Sequence, residues 1–324
     1  MFELPATFVA TPTVDDTTTV TVTDSDPVVA PTMDISLQNT SGQLGLWQVN
    51  GATTPTLSAA ALLGADPGSS WLQVGTGSFF SGGATDGSDI LLQNTNGSVG
   101  AWQMQGATLL SADVVANPGP SWQVDGVGDF NGDGKSDIVL QNTNGSVGVW
   151  EMSGGQISQA GVVANPGPSW QVEATGDFNG DGKSDIVVQN TDGTVGIWNM
   201  NGDQISQASV VANPGPSWKV VGTGDFNGNG HTDLLLQNTD GSVGIWEMNG
   251  DQLSQGIEVA NPGASWHVAN TGDFNQDGMT DIVLQNNNGA VGVWDMDGGQ
   301  IIHASDLANP GPTWSVVGAT LASS

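Results

Sequence analysis

The twelve Trp residues of this chain fall into two series, and their spacing limits the fold more than any other feature. One series is Trp71, Trp122, Trp170, Trp218, Trp266 and Trp314, and the other is Trp47, Trp102, Trp150, Trp198, Trp246 and Trp294. After an irregular first interval, each series recurs every 48 residues. A unit of this length must be one supersecondary element that buries its apolar face against its neighbours.

The unit from Ser121 to Pro168 shows which element that is. Ser121 to Val124, Asp137 to Gln141, Val147 to Met152 and Gln156 to Val163 read as four short strands. They are rich in β-branched residues and separated by Gly, Asn and Pro. Thr143-Asn144-Gly145-Ser146 reads as a type I′ hairpin turn. Gly154-Gly155 is a second turn, and Asn165-Pro166-Gly167-Pro168 suits a type II turn on the way to the next unit. Four strands per unit predict an all-β propeller of four-stranded antiparallel blades. The last unit ends after one strand, Trp314 to Val317, and the first begins at a second strand, Asp34 to Asn39. Pairing the two termini gives six blades and closes the ring over residues 34–324, with seven blades as the alternative. Residues 1–33, rich in Thr, Pro, Val and Asp, do not resemble the repeat and are expected to form an arm or linker. The alternation Thr17 to Thr23 suits a strand that adds to a neighbouring sheet.

Between the first and second strands, four units carry an acidic loop. The oxygen-bearing positions are Asp129, Asn131, Asp133 and Asp137; Asp177, Asn179, Asp181 and Asp185; Asp225, Asn227, Asn229 and Asp233; and Asp273, Asn275, Asp277 and Asp281. Oxygen side chains at alternate positions, a Gly that permits a bend and a further carboxylate form a hard-oxygen donor set of the kind that calcium takes. Lys135, Lys183, His231 and Met279 follow that Gly and would each offer a backbone carbonyl, which leaves their side chains free to differ. About four calcium ions are therefore expected. The loop with Asn229 has one charge fewer and should bind most weakly. The second unit, from Ser78 to Asp89, loses the spacing and is not expected to form a site.

The run from Gly128 to Val139 resembles the FG-GAP or VCBS repeat, which also occurs in related form in integrin α-chain propellers, and the resemblance extends over roughly residues 34–321. It implies a calcium-binding propeller and, in many members, export, adhesion or carbohydrate binding.

Composition narrows the function. The formal charge is -30, with 33 acidic residues against three Lys and no Arg, so nucleic-acid binding is not expected. There is no Cys and hence no disulfide or thiol chemistry. No stretch reaches the length of a membrane span, and Met1 to Asp16 carry no basic region of a secretory signal. Enzyme activity is not expected, because His231, His267 and His303 form no cluster in the sequence apart from the repeat and no Arg or Tyr is available. Both Trp series are expected to pack the core, and the Gln-Asn pairs such as Gln141-Asn142 to satisfy buried backbone groups. The reading is an extracellular or cell-surface recognition or adhesion module with a glycan or protein ligand. The alternative is a structural subunit that self-associates through residues 1–33 into a filament or surface layer.

Overall fold

The computed structural model describes residues 33–51, 54–80 and 89–321, with side chains as far as residue 319. Six four-stranded antiparallel sheets form six propeller blades, and no described residue is helical. Blade 3 is typical, with strands Trp122–Gly128, Asp137–Asn142, Val147–Ser153 and Gln156–Ala164 in that spatial order. The first strands, which are Trp71–Gly77, Trp122–Gly128, Trp170–Gly176, Trp218–Gly224, Trp266–Gly272 and Trp314–Leu321, lie side by side in a closed ring around the axis. Each blade therefore runs outward from its first strand to its fourth.

Blade 1 is the one that closes the ring. Its inner strand, Trp314–Leu321, pairs antiparallel with Met33–Asn39, which in turn pairs with Leu44–Asn50. Six blades and closure by the two ends are thus as the spacing predicts. The strand begins at Met33, one residue before the expected boundary, and the remainder of the expected arm lies outside the described residues.

The second strand of each blade shows why these sequences stack. Asp137 to Gln141 is buried throughout, because each blade has a neighbour on both faces. Ile138 packs with Leu91 and Val99 of blade 2, while Val139 packs with Val172 and Ile186 of blade 4. Continuous apolar runs are what strands covered on both faces require. Phe79, Phe130, Phe178, Phe226 and Phe274 are wholly buried in these seams.

Two hydrogen-bond systems tie neighbouring blades together. The Gln141 amide donates Nε2–H to the Trp170 carbonyl at 2.7 Å, and its Oε1 accepts from the Val172 amide at 3.0 Å. The same two-point clamp is made by Gln38, Gln93, Gln189, Gln237 and Gln285, once at every seam of the ring. The Gln residues therefore satisfy buried backbone groups, as expected, and they do so in the next blade. Nearer the axis, Thr175, Thr223 and Thr271 each donate Oγ1–H to the carbonyl one repeat earlier, at 2.7–3.0 Å.

The turn at Thr143-Asn144-Gly145 is not type I′. Only Gly145 has positive φ, at 90°, while the Asn144 side chain accepts the Ser146 amide at 2.8 Å. The loop is a type I turn followed by a left-handed Gly, because Asn144 spends its side chain on the turn and keeps its backbone right-handed. Gly145 also lies against Gly167 of the Asn165-Pro166-Gly167-Pro168 turn, where an added Cβ would stand 2.2 Å from the Gly167 carbonyl carbon. Gly167 has φ 90°, as a type II turn needs at that position.

Candidate metal-binding loops

The strand directions put all four acidic loops on one face of the ring. The hairpin turns after Asn142 and the Asn-Pro-Gly turns lie on the other. Each loop is wound by its own side chains. Asp129 Oδ1 accepts the Gly132 amide at 2.7 Å and the Asp133 amide at 3.1 Å, and its Oδ2 accepts the Gly134 amide at 2.8 Å. Asn131 Oδ1 accepts the Asp133 amide and Asp133 Oδ1 the Lys135 amide, at 2.8 and 2.9 Å. The loop at Asp177, Asn179, Asp181 and Lys183 repeats this winding. So do Asp225, Asn227, Asn229 and His231, and Asp273, Asn275, Asp277 and Met279. In the last loop Gln276 stands where Gly132 stands, and it is the one described non-Gly residue with positive φ, at 62°.

Beneath each loop the final carboxylate is an anchor. Asp137 is wholly buried and accepts the Phe130 amide on Oδ2 at 3.0 Å and the Met152 amide on Oδ1 at 2.8 Å. Asp185, Asp233 and Asp281 make the same pair of bonds. Burial raises the Asp137 carboxyl to about 6; its backbone hydrogen bonds oppose the rise, and the negative charges of Asp129 and Asp133 add to it. Asp185 and Asp233 are raised to about 6 and Asp281 to about 7, in each case chiefly by burial.

The neighbouring blade holds each loop from outside. Asp129 donates its amide to Ser184 Oγ at 3.0 Å, and its carbonyl accepts the Ser184 amide at 2.7 Å. The Phe130 carbonyl accepts the Gly202 amide of the next outer hairpin at 2.7 Å. Because Ser184 lies between Lys183 and Asp185, each clasp joins the start of one loop to the end of the next.

A group missed by the spacing argument lies on the third strand, fourteen residues after each anchor: Glu151, Asn199, Glu247 and Asp295. Asn275 donates its side-chain amide to Asp295, Glu247 adds to the rise at Asp233, and Asp295 adds to the rise at Asp281. Their regular offset from the anchors was the available signal. Strand alternation alone assigned them no role.

The donors fit a hard cation in kind, being carboxylate, amide and backbone oxygens within one bend. They are not clustered as acids alone. Among the described residues no three His, Cys, Asp or Glu side chains converge to hold a metal. Asn131 and the Lys135 carbonyl would have to complete the set in the first loop, as would their equivalents in the others.

Residues 177–236 and 225–284, which run from the loop of blade 4 to the second strand of blade 6, match a family model described as an FG-GAP-like repeat. Residues 177–284 thus carry FG-GAP-like repeats. A propeller of FG-GAP-like repeats is the framework of a protein-interaction module, commonly extracellular and typically non-catalytic. A search of curated proteins finds no match.

Solved structures give distant likenesses. The computationally designed Ika8 protein is 15% identical over 89% of this chain and 82% of that one, with a TM-score of 0.45. The Photorhabdus luminescens Tc holotoxin pore is 15% identical over 80% of this chain but 14% of that one, with a TM-score of 0.48. U3-55K is 14% identical over 71% of this chain and 80% of that one, with a TM-score of 0.45. No helix among the described residues is long and apolar enough to cross a membrane.

Proposed function

We propose that this FG-GAP-like propeller is a non-enzymatic, calcium-binding recognition module of the cell exterior, with a glycan or protein ligand. The observation that carries the calcium reading is the fourfold recurrence of one loop geometry. Asp129, Asp177, Asp225 and Asp273 each wind their loop by accepting the amide of the Gly five residues on, above a buried Asp anchor. Calcium would add positive charge to a bend that holds carboxylates such as those of Asp129 and Asp133, the second of which lies 3.5 Å from the Lys135 ammonium. The chain's own residues do the rest: the Asp137-type anchors fix the loop floor, and the Ser184-type clasps hold each loop against its neighbour. Sites of this kind are filled where calcium is near-millimolar, which favours an extracellular location. A glycan and protein-ligand array read with calcium and with chelator tests the recognition reading. Calcium-dependent binding is expected, and the absence of any ligand under both conditions counts against it.

A second reading, self-assembly into a filament or surface layer, draws on the outer rim. Val114, Val162 and Val210 are exposed at equivalent positions on three adjacent blades whose outermost strands have a free edge. Deleting residues 1–32, which spares Met33 in the closing strand, abolishes polymers seen by electron microscopy in that reading and leaves ligand binding intact in the first.

A further inference from the structure

Blade 6 contains a small pocket on the face opposite the acidic loops. It is lined by both of its tryptophans, Trp266 and Trp294, with Leu284, Gly292 and the outer-strand residues Ala304 to Asp306. Blade 1 has the same pocket built from Trp314, Trp47, Leu37 and Gly45, but there the outer strand supplies Ala60, Ala61 and Leu62. The two differ in chemistry: one carries a carboxylate and the other has no charged side chain.

The glycine at the pocket floor shows what the carboxylate does. A Cβ built on Gly45, Gly100, Gly148, Gly196 or Gly244 would meet an indole carbon of the inner-strand Trp at 3.4–3.8 Å. A Cβ built on Gly292 has the Ser305 carbonyl oxygen nearest, at 3.0 Å, and then Asp306 Oδ1, at 3.6 Å. Blade 5 also has an acid at this position, Glu258, paired with Gly244 as Asp306 is with Gly292. Blade 6 therefore places two indoles and a carboxylate around Gly292. No ion pair among the described residues engages Asp306, and the chain has three Lys to offer.

The geometry points to a binding site for an alkylammonium head group, held between the Trp266 and Trp294 indoles with Asp306 as its counter-charge. Aromatic faces attract a soft organic cation through their quadrupole, and a carboxylate adds charge without demanding the dehydration that a small metal ion would need. The pocket volume of about 60 Å³ is that of a few waters, so it suits a group of about five heavy atoms and not a whole pyranose ring. A protein of net charge -30 raises the local concentration of cations and repels anions. This inference goes beyond the recognition reading and stands independently of the loops, so saturating calcium is held constant in its test.

The experiment is a titration of the full chain with tetramethylammonium in about 0.15 M NaCl, followed by calorimetry and by the indole N–H resonances. The neutral isostere tert-butanol and glucose are run in parallel. Saturable tetramethylammonium binding that shifts two indole signals is expected, with tert-butanol at least tenfold weaker and glucose inactive. Asp306→Asn should weaken tetramethylammonium at least fivefold. Asp306→Val should do the same, and it leaves the fold intact because Val114, Val162 and Val210 occupy the equivalent positions in other blades. Equal binding of tert-butanol, unchanged affinity in Asp306→Asn, or indole shifts with glucose in place of the cation would each overturn the assignment.

Discussion

Gln141 spans a seam with one amide, and both of its partners are backbone groups that lose water in the folded ring. Gln141→Met keeps the bulk and removes both bonds, so it should destabilise the chain by about 2–3 kcal/mol in denaturant unfolding, as two buried groups are left unsatisfied. Asp34 presents the opposite case. It stands where Asp137 stands in blade 3, yet its Oδ1 has no partner, and burial raises its carboxyl to about 7. A carboxyl raised above its unfolded value of 3.8 holds its proton better when folded. Stability is then full below about pH 4 and falls as pH rises through about 7. Asp34→Asn should remove that slope and add on the order of 2–4 kcal/mol at pH 8 with no gain at pH 4, read from unfolding at the two pH values. The role of Gln141 as a backbone partner was legible in the sequence. That its partners lie in the next blade was not, because sequence order carries no record of which strands face each other across a seam.

At the level of the strand and the loop, turn and strand chemistry was readable wherever a residue has one favoured role. The four strands of blade 3 lie within a few residues of their expected limits, since Gly, Pro and β-branched residues mark them locally. The hairpin at Asn144 was misread because an Asn side chain can satisfy a turn in two ways, and here it accepts an amide in place of adopting positive φ. The acidic loops were legible as units, but the anchoring of Asp137 by Phe130 and Met152 depends on long-range burial. One loop serves as an internal comparison. Asn229 replaces the carboxylate of Asp133, so Asn229→Asp should tighten calcium at the weakest of the four sites about tenfold. The change appears as the loss of the weakest phase in a calcium titration, and an unaltered titration would show that this position does not ligate.

The whole ring depends on its two ends. The inner strand of blade 1 comes from Trp314–Leu321 and its next strand from Met33–Asn39, so a chain shortened after Pro312 has no strand to close the circle. That truncation should leave Gln285 without its Trp314 and Val316 partners and convert the cooperative melt into aggregation at ambient temperature, as followed by light scattering. The sixfold closure could be read in advance because 48-residue spacing and complementary terminal half-units are both properties of sequence. The pocket of blade 6 could not, since it is lined by residues from all four strands of the blade, whose side chains meet only once the sheet has formed.

The central claim is that cations hold the four acidic bends. Ligand present at a hundredfold excess over its dissociation constant stabilises the folded state by about 2.7 kcal/mol per site, and four such sites together by about 11 kcal/mol. The direct measurement is calcium titration calorimetry on chelator-stripped protein, paired with thermal melting before and after calcium is restored. The account predicts saturation near four ions per chain and a melting temperature higher by roughly 20 °C with calcium. No binding heat, together with identical melting curves, would contradict it.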